Sequence, residues 1–209
     1  ERFAVQLGGL SALDLGATEL TGELINLLEE GCSPELAEDV LVQMAAYLGY
    51  PRTRRSVACL TGALASRGQG SGTLPPGGQN DAERYAAGIA DYAMLNPDAL
   101  TTIKSAFGAL APDVIDLTFR IFGDVYAASR QTLQVRQLAT IAALAVLGSA
   151  APQLRFHIGA GRYVGLTEAQ LVEVIGWVQF FAGAPAAYNA LIELKASLAE
   201  GAAATPAYQ

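Results

Sequence analysis

His157 is the only histidine in this 209-residue chain. Imidazole is the side chain that both gives and takes a proton near neutral pH. Gln153, Leu154, Ala160 and Gly161 share its face at three- or four-residue spacing on a helix. Neighbours that small or neutral predict an apolar pocket with one polar tip, suited to moving a proton. The competing expectation is a core histidine whose ring nitrogens are satisfied by backbone. One histidine without a local carboxylate or thiolate cluster does not make a ligand set, so no metal is expected.

Arginines are the second informative type. Arg120, Arg130, Arg136, Arg155 and Arg162 crowd the second half of the chain. Arg136 opens a long apolar run, where a guanidinium is costly unless it meets an anion or lies at a helix end. Arg155 and Arg162 are expected to face solvent. Tyr126, Tyr163, Trp177 and Tyr188 read as core aromatics or as site walls. Glu173 lies in the apolar stripe 171–178 and is a candidate partner for an arginine or for His157.

The elements that must position these residues read as helices. The run 138–147 is apolar throughout, and 152–164 carries His157. Gly165 stops that helix, and Thr167 with Gln170 restarts the chain as a capping box. Gly183 ends the third helix near Ala182, and Pro185 opens a fourth with Tyr188, Asn189 and Leu191. Period-two alternation is absent, so the expected fold class is all-α.

The same order of elements occurs earlier. At an offset of 134, Arg2 falls on Arg136, Leu10 on Leu144, Leu20 on Leu154, Gly31 on Gly165, Gly49 on Gly183 and Pro51 on Pro185. Coincident glycines and prolines are the marks that fix helix ends. The expected organisation is a degenerate first repeat over 1–67, a linker and connecting helix over 68–96, a second, motif-bearing repeat over 97–201, and a tail over 202–209. The linker is the Gly- and Pro-rich stretch 68–80. Asp81 is expected to cap the connecting helix, and further helices are expected near 97–107 and 112–122. In the first copy Glu23 stands where the second has His157.

Composition bounds the partners. Hydrophobic residues make up 52 %, charged residues 16 %, and the formal charge is −7. A net negative chain is a poor partner for a nucleic-acid backbone. No apolar stretch of about 18 or more residues runs free of charged or turn residues, so no membrane span is expected. The N-terminal residues lack the basic region and cleavage site of a signal peptide, and the expected location is cytoplasmic. Cys32 and Cys59 form no C-x-x-C pair and read as buried, reduced thiols. Alanine-rich apolar surface predicts subunit contacts, hence a homo-oligomer.

The run Arg136-Gln137-Leu138, then Gln153-Leu154-Arg155-Phe156-His157, Gly165-Leu166-Thr167-Glu168 and Ala182-Gly183-Ala184-Pro185 resembles the carboxymuconolactone decarboxylase family and its AhpD-like relatives. The resemblance covers about 112–200 and, as a degenerate copy, 1–67. It implies an AhpD-like bundle of two tandem repeats of paired helical hairpins, assembling as a trimer or hexamer. It also implies that no cofactor is needed and that the substrate is a small organic acid or lactone. The peroxidase branch needs two cysteines before the histidine. Here those positions are Ala150 and Gln153, so thiol peroxidase chemistry is not expected.

The decarboxylase branch implies an acid/base at His157, and Arg136 or another arginine fits the role of binding a substrate carboxylate. The expected substrate-binding side chains are Gln153, Gln137, Tyr126, Trp177 and Glu23. Gln137 stands where many members have an acid, which puts the usual proton relay in question. The implied activity is decarboxylation of a carboxylated unsaturated lactone or similar acid. The alternatives are a biosynthetic cyclase, isomerase or dehydratase on the same scaffold, and a non-catalytic assembly protein.

Overall fold

The structure is a computed structural model and describes residues 1–70, 80–126 and 129–200. The expected tail, most of the expected linker and part of the turn before Gln131 lie outside the described residues. Among the described residues every regular element is a helix, as expected. Helices α1 (Arg2–Ala12), α2 (Ala17–Glu29), α3 (Pro34–Gln43), α4 (Ala45–Leu48) and α5 (Tyr50–Ser66) come first. Helices α6 (Asp81–Ala93), α7 (Ala99–Phe107) and α8 (Pro112–Val125) follow. Helices α9 (Leu133–Leu147), α10 (Ala151–Tyr163) and α11 (Glu168–Ala199) complete the chain.

Local chemistry accounts for most of the boundaries. The Ser33 hydroxyl accepts from the Leu36 N–H at 3.2 Å, with Pro34 next, and so starts α3. Thr132 caps α9, and Thr167 with Gln170 forms the expected capping box on α11. The cap of α6 is Asn80 rather than Asp81. The Asn80 amide oxygen accepts from the Glu83 N–H at 3.0 Å, and the Glu83 carboxylate accepts from the Asn80 N–H at 2.9 Å. An Asx side chain one residue earlier reaches the same orphan donors, so Asp81 takes a helical place in the first turn.

Gly183 interrupts α11 with φ +82° and ψ 171°, and Gly49 between α4 and α5 has φ +79° and ψ 162°. Side chains other than glycine's rarely adopt that conformation. Gly31 and Gly165 end α2 and α10 with φ +100° and +99°. Among the described residues, α11 alone is long and apolar enough to cross a membrane by length and composition. Gly183 divides it into two arms of about 22–24 Å each, short of a hydrocarbon core of about 30 Å.

Two compact units result. One holds α1–α5 with α9–α11, and the other holds α6–α8. Helices α7 and α8 group with α6 in the second unit. In the first unit, α1 and α9 lie at the centre. Leu7, Leu24, Leu41, Leu60 and Leu64 pack with Ala139 and Ala143 on one side. Val5, Ile141, Ile158, Leu171 and Val178 pack on the other. A Cβ on Gly8 would stand 2.2 Å from the Ala139 carbonyl oxygen, so the two backbones approach to glycine distance. In the second unit, α6 meets α8 in the same manner at Gly88 and Gly123, beside an aromatic cluster in which Tyr92 lies 5.5 Å from Phe119 and 5.0 Å from Phe122.

Candidate functional site

His157 stands in the middle of α10 and is buried, with 6 % of its surface exposed. Its helix lies close to α9 because Gly161, one turn on, has no side chain: a Cβ there would stand 3.2 Å from Ile141 Cδ1. Gln137, on the second turn of α9, is wholly buried and faces the imidazole. The His157 Nδ1–H donates to Gln137 Oε1 at 2.9 Å. With the Gln137 amide oriented this way its oxygen only accepts, which puts the ring proton on Nδ1 and the free lone pair on Nε2. The Gln137 Nε2 hydrogens are buried without a protein partner. Tyr47 meets the imidazole edge-on at 5.0 Å, and Phe156 does so at 5.2 Å. Burial among these groups lowers the imidazole pKa to about 3, so the ring is neutral at physiological pH.

Polar groups continue beside this pair. Gln43, buried on α3, donates from Nε2 to the Arg136 carbonyl oxygen at 2.9 Å and to Thr140 Oγ1 at 2.8 Å. Arg136 is buried as well, and its Nε donates to the Gln131 carbonyl oxygen at 3.1 Å. Gln131 Nε2 in turn donates to the buried carboxylate of Asp39 at 3.0 Å.

The remaining expected site residues are dispersed. Gln153 lies on α10 but is exposed. Glu23 is exposed on α2. Phe181, the residue 134 positions after Tyr47, packs against α1, where a Cβ on Gly9 would meet its ring at 2.7 Å. Tyr126 ends α8 in the second unit, stacked on Phe122 at 4.3 Å. Trp177 is half-buried in a small surface cleft with Arg2, Val5, Leu138, Gln170 and Glu173. Glu173 is exposed there and has no bond to His157.

The structure thus brings together His157 and Gln137, with Arg136 next in sequence. It adds Gln43, Tyr47 and Thr140, which sequence reasoning missed. Gln43, a lone amide in the apolar run 40–44, was the available signal.

Gly161, one of the small residues near His157, lies against Leu166 and Ile141, where a Cβ would stand 3.0 Å and 3.2 Å from their Cδ1 atoms. Neither that cleft nor those at Pro51–Arg55 and Asp81–Arg84 has His157 in its wall. Arg155 and Arg162 are not merely solvent-facing. Arg155 Nε donates to Glu193 at 2.7 Å, and Arg162 donates to Ser197 Oγ at 3.2 Å, tying α10 to the end of α11. Long side chains on that side of α10 reach across to the next helix before they reach water.

Cys32 and Cys59 are free and buried, and burial pushes the Cys32 thiol up to about 11. Among the described residues no three His, Cys, Asp or Glu side chains gather as a metal ligand set. No curated protein matches the chain. The segment from α8 to α11 is different: residues 112–196, which carry both Gln137 and His157, match the carboxymuconolactone decarboxylase family.

Proposed function

We propose that the chain is a cofactor-independent acid/base enzyme of the carboxymuconolactone decarboxylase type, acting on a carboxylated unsaturated lactone or a similar small organic acid. The observation that carries this reading is the 2.9 Å bond from His157 Nδ1–H to Gln137 Oε1. It fixes the tautomer and dedicates Nε2 to a proton that moves. A neutral acceptor in the usual place of an acid still orients the ring. It adds no charge, so the imidazole stays unprotonated until an anion arrives.

A substrate carboxylate against this ring raises its proton affinity, and His157 takes up a proton at Nε2 as the acid binds. The carbon–carboxylate bond then breaks. Its electron pair passes into the conjugated carbonyl, carbon dioxide leaves, and the Nε2 proton goes to carbon. His157 returns to its neutral form. Arg136, a buried cation one residue before Gln137, is our candidate for holding a carboxylate. Incubation with carboxymuconolactone and related unsaturated lactone acids, followed by release of carbon dioxide, tests this. Turnover without carbon dioxide release would favour a cyclase, isomerase or dehydratase.

A second reading, a non-catalytic assembly protein, is favoured by one observation: His157 is packed by Tyr47 and Phe156. Failure of His157→Gln to alter any turnover would select it.

We also read 1–67 and 135–201 as two copies of one unit. Helices α2 and α10 each have 13 residues, and the glycine angles at Gly31/Gly165 and Gly49/Gly183 support the same offset. Exposed Val172, Phe180, Tyr188 and Ile192 on α11 support a homo-oligomer, which we take to be a trimer or hexamer in the cytoplasm. Light scattering giving a monomer mass would remove that part of the proposal.

A further inference from the structure

The first half of the chain reaches the His157 site through two side chains. Gln43 is 2 % exposed among Val40, Leu41 and Met44, which are equally buried. An apolar residue of the same size would fill that space, so packing alone does not explain the amide. Both of its acceptors lie on α9 one turn apart, at Arg136 and Thr140, and Gln137 stands between them. Four residues on from Gln43, Tyr47 sets its ring against the edge of the imidazole. The positions 134 further along are Trp177 and Phe181, and the counterpart of His157 is the exposed Glu23. The buried amide therefore occurs on the side that has the histidine, and an apolar indole stands at its counterpart on the side that lacks it.

We propose that Gln43 and Tyr47 are positioning residues for His157. Gln43 clamps the turn of α9 that presents Gln137, and Tyr47 holds the imidazole in the plane where Nδ1 meets Gln137 Oε1. Their effect on turnover rests on the acid/base reading above, whereas their effect on the imidazole does not.

Because His157 is the only histidine, one imidazole appears in a long-range ¹H–¹⁵N correlation spectrum of the full chain. The wild type is expected to show the Nδ1–H tautomer. Gln43→Met and Tyr47→Leu are expected to shift both ring nitrogens toward a tautomer mixture and to speed Nδ1–H exchange tenfold or more. Tyr47→Phe, which keeps the ring, is expected to restore the wild-type spectrum. Unchanged His157 signals in folded Gln43→Met and Tyr47→Leu chains would overturn the assignment.

Should Gln43→Met fail to fold, Thr140→Val removes one acceptor at constant size and must produce a shift in the same direction; no shift would overturn the assignment too. The two proposals fail separately. Turnover lost in His157→Gln with unmoved signals in Gln43→Met defeats positioning alone. Moved signals with normal turnover in His157→Gln defeat the acid/base reading alone.

Discussion

Gly8 and Ala139 bring α1 and α9 together so closely that a Cβ at position 8 would stand 2.2 Å from the Ala139 carbonyl oxygen. Backbone atoms cannot swing aside as a side chain does, so Gly8→Ala must separate the two central helices. Overpacking of this kind costs about 1–3 kcal/mol. Gly22, inside α2, faces open space, with nothing within 4 Å of where a Cβ would lie. Gly22→Ala should therefore stabilise by about 0.5–1 kcal/mol through helix propensity. Chemical denaturation of both variants checks the opposite signs.

Gly183 tests the break in α11. Its φ of +82° with ψ 171° is open to glycine and strained for alanine. Gly183→Ala should cost about 1–3 kcal/mol, and Gly49→Ala should cost a similar amount at φ +79°. Melting temperatures measured by circular dichroism would show both losses.

Much of this architecture was legible in the sequence, because glycines and capping residues are local signals. Gly31, Gly49, Gly165 and Gly183 each stand at a helix break, and Thr167 with Gln170 marks a helix start within a single turn. The cap at Asn80 was missed by one position, since Asn80 and Asp81 are both able caps and only geometry selects between them. Gly8 carries no local sign of its role, because the Ala139 carbonyl it meets belongs to the other half of the chain. The site shows the same division. His157 stood out by its type, and Gln137 through its place after Arg136. Gln43 and Tyr47 reach the site across the fold, and helical periodicity does not report contacts between distant helices.

The cysteines give a chemical prediction. Burial raises the Cys32 pKa to about 11, and Cys59 is buried too. Thiolate is the reactive form, so a thiol reagent at pH 7 should label the native chain slowly and should label two thiols in denaturant. Cys32→Ser with Cys59→Ser should leave the fold and turnover intact, with no thiol-dependent peroxide reduction in either chain. Rapid native labelling or robust peroxide turnover would contradict this.

His157 makes stability depend on pH with a definite sign. Its pKa falls from 6.5 in the unfolded chain to about 3 in the fold. Between those values the unfolded chain binds a proton that the folded chain refuses, so stability rises with pH across that window. It is fully present above pH 6.5 and declines as pH falls toward 3. The loss should reach on the order of a few kcal/mol for so large a shift. In His157→Gln this component of the acid sensitivity should vanish, as urea midpoints between pH 7 and pH 4 would reveal. Gln137→Glu should move the imidazole pKa upward, because a carboxylate in place of the amide favours the imidazolium.

The ratio of turnover between wild type and His157→Gln, on a lactone acid that the wild type decarboxylates, bears most directly on the acid/base assignment. Glutamine keeps hydrogen-bonding capacity and comparable size but cannot carry the moving proton. The account predicts a loss of about a hundredfold to ten-thousandfold in carbon dioxide release, with a melting temperature near that of the wild type at pH 7. A His157→Gln chain that releases carbon dioxide at the wild-type rate would contradict it.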